Sequence, residues 1–279
     1  SMKLWSNVRM KKKLLVFGCS YSDKRYVTLT TKDPKLKEHM HDNDGNLTEP
    51  FEFWPEMMAK KLDMDLVNFA QCGFGNDGIH STFMDEVTRH DNIGLVVVMW
   101  SEFMRIGFEQ EIRSVFSSKF DWLKINITAS DRNKKLRKRQ IEITDVLNKH
   151  GLLSPASMLN RSIRLFYSVQ NVCENLRKPY IQIMGMPPSK KALEVEFCKH
   201  LINSPFLDKI NKDSFIGWPM FPQLDGYSCG STLYDLDPNR EKYFINSDNV
   251  HPSKSGQEYI TDMLLKRINT DVIKYLTFL

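Results

Sequence analysis

The sequence predicts an α/β protein in three layers, a parallel sheet held between two layers of helices. Two observations carry this. Short apolar runs recur along the chain and alternate with segments whose apolar residues fall at helical spacing. The clearest run, Gly94 to Trp100, is apolar at nearly every position, as a strand covered on both faces must be.

The elements follow in order. Lys13 to Phe17 is short, apolar and ended by Gly18, so it is predicted as a buried strand. The polar stretch 24–53 carries turn signals at Asp33-Pro34 and Asp42-Asn43-Asp44-Gly45. It is too long for an ordinary connection and reads as a functional loop or lid. Trp54-Pro55-Glu56 opens a helix to about Leu62, with Pro55 suited to the first helical position. A second strand over Asp65 to Phe69 leads into the loop Ala70 to Gly78, and a helix follows from Ile79 to about Arg89. After the Gly94 to Trp100 strand, residues 107–155 are charged and less regular, and read as an insertion carrying a basic helix. Met158, Leu159, Ile163, Phe166, Val169, Val172 and Leu176 give 156–176 helical spacing. A strand is predicted over Pro179 to Gly185 and a helix over 192–210. Residues 214–246 read as irregular loop, and Lys254 to Leu276 as the final helix. Alternation of this kind favours one domain over residues 1–279.

Bulk properties exclude several classes. Hydrophobic residues make up 41% of the 279, enough for a sizeable core, and no apolar run approaches the roughly 20 residues that span a bilayer. Five cysteines, at 19, 72, 173, 198 and 229, form no C-x-x-C pair and are odd in number, against a disulfide framework or a zinc site. The start of the chain has no apolar stretch of the secretion type, so a cytoplasmic protein is expected. A net charge of +5 permits acidic partners without requiring them.

Chemistry concentrates at two distant places. Gly18-Cys19-Ser20-Tyr21-Ser22-Asp23 presents a serine in a small-residue turn directly after the first strand, and Asp248-Asn249-Val250-His251-Pro252 precedes the last helix. A serine hydroxyl is a poor nucleophile unless an oriented base adjoins it. Ligands of open parallel sheets bind outside the carboxyl ends of the strands. The loops at Gly18 to Asp23, Gly73 to Asn76 and Trp100 to Arg105 all belong to that edge.

These blocks resemble the SGNH (GDSL-type) hydrolase family. Gly18-Cys19-Ser20 matches its Gly-Asp-Ser turn with Cys for Asp. Asn68 to Gly73 with Asn76 matches its second block, and Asp248 to Pro252 with Ser255-Gly256 matches its terminal Asp-x-x-His. The third block departs, since Met99-Trp100-Ser101-Glu102 stands where the family has Gly-x-Asn-Asp. Its Trp-Ser-x-x-x-Arg form resembles bacteriophage-encoded branches, which would allow a virion-associated protein. The resemblance implies a flavodoxin-like sheet and a triad of Ser20 as nucleophile, His251 as base and Asp248 as the group that orients it, Asp and His sharing one turn. It further implies an oxyanion hole from the backbone N–H groups of Ser20 and Gly73, with a third donor from Ser101 or Asn76.

Each residue also has a plainer reading. Gly73 and Gly75 can simply permit tight turns, and Asn76 can cap a helix. Trp100 and Arg105 are candidate substrate contacts, Arg105 clamping a carboxylate or phosphate, against a structural ion pair for Arg105. His39-Met40-His41-Asp42-x-Asp44 fails the calcium-loop template, because Met40 and Phe51 fall where carboxylates are required, so no metal is expected. The run Arg132 to Arg139 reads as a solvated helix face, and no nucleic-acid motif accompanies it.

The function expected is hydrolysis of an O-acyl, acetyl-like ester on a small molecule or carbohydrate, without cofactor, membrane or nucleic acid. The alternatives are an O-acyltransferase with the same triad and a degenerate carbohydrate- or virion-surface-binding module.

Overall fold

The computed structural model describes residues 10–34, 37–113, 118–127 and 134–268. In chain order the elements are β1 (Lys13–Phe17), α1 (Arg25–Thr30), α2 (Trp54–Lys61), β2 (Asp65–Asn68), α3 (Asn76–Val87), β3 (Ile93–Trp100), β4 (Arg105–Arg113), β5 (Ser118–Asn126), α4 (Lys134–Lys149), α5 (Pro155–Asn175), β6 (Tyr180–Met184), α6 (Lys191–Ile202), β7 (Phe215–Ile216), α7 (Cys229–Leu236), β8 (Phe244–Asn246), β9 (Asn249–Pro252) and α8 (Lys254–Arg267).

Among the described residues the central sheet has five strands, all parallel, in the order β2-β1-β3-β6-β7. Counted along the chain this is 2-1-3-4-5, the flavodoxin order, whose topological switch point lies between β1 and β3. Helix α2 packs on α8, while α3 packs on α5 and α5 on α6, giving the helical layers of an α/β/α sandwich. All eight residues of β3 are buried, which is why its sequence lacks the alternation of a half-exposed strand. Leu14, Leu15, Val16 and Phe17 of β1 lie beside it in the same core.

Four segments differ from the sequence expectations, the first being the stretch 24–53, read as a loop, which carries α1. The charged insertion opens with an antiparallel hairpin, β4 on β5, whose Ile106 and Ile125 are buried in the main core; the expected basic helix follows as α4. The stretch read as irregular loop contains β7, the fifth sheet strand, together with α7 and β8. Strands of two or three residues are too short to leave a period in the sequence. The last helix is described to Arg267, and residues 269–276, over which it was expected to continue, lie outside the described residues. So do Arg132 and Asn133 of the basic run, whose Lys138 pairs with Glu142 and whose Arg139 donates to Gln110.

Candidate active site

Ser20 follows β1 in a turn closed by the Ser22 N–H donating to the Cys19 carbonyl. The turn is tight against the sheet: a Cβ at Gly18 would lie 2.7 Å from Ser22 Oγ and 3.2 Å from the Met99 carbonyl oxygen. Cys19 beneath it is buried and packs in the core. The neighbouring loop after β2 is tied to this turn. Asn68 Nδ2 donates to the Ser22 carbonyl at 2.8 Å, and the Gln71 N–H donates to the Gly18 carbonyl. Asp23, 5% exposed, accepts from the Cys72 N–H at 2.8 Å and from Arg25 Nε at 2.8 Å. Arg25 Nη2 in turn reaches the Ala70 carbonyl at 3.0 Å. With Asp23 almost wholly buried, these donors satisfy its carboxyl oxygens and fasten the two loops together.

The β4–β5 hairpin braces the same loop from outside. Lys124 Nζ donates to the Cys72 carbonyl at 2.9 Å and lies 4.8 Å from the centre of the Phe74 ring. Gly73 has φ +83°, a conformation most side chains resist, and a Cβ there would lie 3.2 Å from Lys124 Cδ. Among the described residues neither the Ser20 nor the Gly73 backbone N–H has a protein acceptor.

The far end of the chain meets residues 20 and 21 through three long-range bonds. Tyr21 Oη donates to the Val250 carbonyl at 2.7 Å, and Gln257 Nε2 donates to the Tyr21 carbonyl at 3.2 Å. The third lies between Ser20 Oγ and His251 Nε2, 2.8 Å apart. The other ring nitrogen, Nδ1, lies 2.8 Å from Asn249 Oδ1. Asn249 is buried, and its Nδ2 donates to the His39 carbonyl at 2.8 Å, which turns Oδ1 toward the imidazole. That oxygen also accepts from the His251 N–H at 3.2 Å and from the Tyr26 hydroxyl at 3.2 Å. With donors converging on Oδ1, the amide orientation is fixed by its surroundings, and Nδ1 must carry the proton. Nε2 is then the acceptor facing the Ser20 hydroxyl.

This corrects the expectation for Asp248. Its residue is exposed, its backbone N–H is taken by Asn246 Oδ1 at 2.9 Å, and His251 meets Asn249 in its place. The physical reason is the backbone. Residues 249–252 form a strand, so side chains two apart share a face, and position 249 rather than 248 stands beside 251.

Three more candidates are placed away from the role expected of them. Asn76 is buried, accepts from the Ser101 N–H at 2.8 Å and donates Nδ2 to Ser162 Oγ at 3.0 Å, so its amide is bonded at both ends inside the core. Ser101 is fully buried with its Oγ 4.0 Å from Met186 Sδ. Trp100 is a core residue: Nε1 donates to Gln182 Oε1 at 2.9 Å and its ring lies 4.6 Å from that of Phe166. Arg105 is different. Its Nε donates to Glu102 at 3.1 Å, its two Nη atoms find no hydrogen-bond partner among the described residues, and its backbone abuts Gly75.

Several solved structures resemble this chain at low identity, with TM-scores below 0.5. An alpha/beta hydrolase enzyme from the metagenome of Lake Arreo, Spain, is 11% identical over 93% of this chain and 96% of that one, with a TM-score of 0.48. A protein of the lipolytic G-D-S-L family from Desulfitobacterium hafniense DCB-2 is 11% identical over 92% and 99%, with a TM-score of 0.43. An acetyl xylan esterase is 11% identical over 92% and 99%, with a TM-score of 0.44. No protein-family model matches the sequence, and no curated protein does. Likenesses at this level say nothing about the site, whose chemistry rests on its own geometry.

Electrostatics around the imidazole are one-sided. Burial first, and the Arg105 charge second, push the His251 pKa down to about 3, so the ring is neutral at physiological pH. Desolvation lifts the Tyr26 phenol to about 12, so it stays a neutral donor. Residues missed by the sequence reading are Asn249, Tyr26, Asp23 and Lys124. Asn249 lies inside the quoted terminal block, and strand alternation with His251 was the signal that could have singled it out.

Proposed function

We propose that the protein is a serine esterase in which Ser20 is the nucleophile, His251 the general base and Asn249 the group that orients it. The observation that carries this is the 2.8 Å approach of Ser20 Oγ to an imidazole nitrogen whose other nitrogen is fixed by Asn249. An asparagine in this place can hold the productive tautomer, as it does in papain-like cysteine proteases.

The reaction runs in two halves. Ser20 Oγ attacks the ester carbonyl while its proton passes to His251 Nε2, and the oxyanion is received by the Ser20 and Gly73 N–H groups. The tetrahedral adduct collapses, the alkoxide leaves with the Nε2 proton, and an acyl-serine remains. Water then loses a proton to Nε2 and attacks the acyl carbon, and the adduct releases the free acid as Ser20 Oγ takes the proton back from Nε2. With Asn76 and Ser101 buried, the donors assigned to the oxyanion hole are the two backbone N–H groups, and one donor is worth about 10²–10³ in turnover. Slow turnover is therefore expected.

As substrate we propose a small O-acyl ester on a polar alcohol such as a sugar, with the Nη edge of Arg105 available to a carboxylate or phosphate on it. The test is hydrolysis of p-nitrophenyl acetate by the wild type and by Ser20→Ala. A loss of about 10⁴-fold or more in kcat supports the proposal, and equal rates reject it.

A further inference from the structure

The Tyr26 ring lies on the imidazole of His251, with centroids 3.8 Å apart and planes 19° from parallel. It is delivered there by α1, whose start is tied to the Ser20 turn by the Tyr26 N–H donating to the Asp23 carbonyl at 2.9 Å. Its hydroxyl, at the same time, donates to Asn249 Oδ1. One side chain thus touches both the proposed base and the group that orients it.

The contact answers a difficulty in the charge balance. The proton that leaves Ser20 converts His251 to imidazolium in the first transition state, and a triad with aspartate meets that charge with a carboxylate. Here the partner of Nδ1 is a neutral amide, and among the described residues no carboxylate bonds to either ring nitrogen. The other groups near the ring give no help: Arg105 repels a proton there, Asp248 is exposed and bonds to neither ring nitrogen, and the other aromatic, Tyr21, is tilted 59° at 5.7 Å. A cation within about 6 Å of an aromatic face is attracted by the ring quadrupole.

We infer that Tyr26 is a positioning residue for the proposed reaction, its π face stabilising the transient His251 imidazolium and its hydroxyl locking Asn249 in the orientation that keeps Nδ1 protonated. The inference rests on the Ser20–His251 reading and adds the group that replaces the missing carboxylate. No bond to substrate is made by Tyr26; it acts through the imidazole.

The experiment uses the full chain with Tyr26→Phe, Tyr26→Leu, and phenylalanines of increasing ring fluorination at position 26, which drain the π face while nearly preserving shape. Two rates are read: kcat on p-nitrophenyl acetate, and covalent labelling of Ser20 by a fluorophosphonate. The π-face contribution predicts that kcat falls about 3- to 30-fold from Tyr26→Phe to Tyr26→Leu, and stepwise with each added fluorine, while KM holds. Tyr26→Phe loses the hydroxyl's bond to Asn249 while the His39 carbonyl still holds that amide, so kcat falls about 2- to 5-fold, and an unchanged kcat overturns the hydroxyl's part of the inference. A fluorination series that is flat in kcat and in labelling, in a wild type that turns over ester, overturns the inference and leaves the esterase reading intact. A folded wild type that neither hydrolyses ester nor takes the label overturns both. Should Tyr26→Leu fail to fold, the fluorinated series still decides, because its members fill the same space.

Discussion

Replacing Asn249 with alanine, beside Asp248 with alanine, separates what the sequence suggests from what the structure assembles. Asn249 is 6% exposed and joins His39, Tyr26 and both the ring and the backbone of His251. Asn249→Ala strands those groups in a site with little water. At about 1 kcal/mol for an ordinary bond and more for a buried group left unpaired, the stability cost is about 2–4 kcal/mol. The activity cost follows from the imidazole losing its tautomer lock. General-base help is worth about 10²–10⁴, so kcat should fall about 10²–10³-fold with smaller change in KM. Asp248→Ala removes an exposed carboxylate that bonds to neither ring nitrogen, so stability should move by less than about 0.5 kcal/mol and kcat by less than about twofold. Steady-state hydrolysis of p-nitrophenyl acetate and urea unfolding, run on both variants, make the comparison. An Asp248→Ala enzyme crippled in kcat beside an active Asn249→Ala enzyme would refute the reasoning.

Further predictions concern charge. The unfolded chain protonates His251 near pH 6.5, whereas burial and Arg105 keep the folded ring neutral to about pH 3, so acid favours the unfolded state. This residue's stabilisation is therefore complete above about pH 6.5. It is lost progressively as pH falls from about 6.5 toward 3. Unfolding titrations across that window should show a shallower pH dependence in His251→Gln than in wild type, and parallel curves would contradict the burial of the ring. Arg105→Gln should lower the ratio of kcat/KM for an anionic hemisuccinate aryl ester over that for the neutral acetate by about 10-fold, in line with a lost charge-assisted bond. An unchanged ratio would remove Arg105 from substrate recognition. The same variant should raise the imidazole pKa, because the nearby positive charge is gone.

Much of the frame was legible because its physics is local. β1 and β3 are buried on both faces, which forces continuous apolar runs, and Gly18 ends the first because only a glycine clears Ser22 and the Met99 carbonyl. Ser20 and His251 could be paired from the order of their blocks and the rule that sites gather at the carboxyl ends of parallel strands. The misreading of Asp248 came from treating Asp-x-x-His as a turn. The residues form a strand end, and there a spacing of two, not three, brings side chains together. Asn76, Ser101 and Trp100 stand at the right edge of the sheet, yet their polar groups are committed to Ser162, Gln182 and one another. No periodicity reports such partner choices, which are made by tertiary contacts. The same holds for the β4–β5 hairpin, whose Lys124 supports the Gly73 loop from more than fifty residues away in sequence.

The central claim is that the Ser20 hydroxyl is activated by His251, and a fluorophosphonate reports on it directly through the mass of the peptide that carries Ser20. A single adduct on Ser20, forming far more slowly in His251→Ala, is the predicted result. A folded wild type that takes no label, or takes it on another residue, would contradict it.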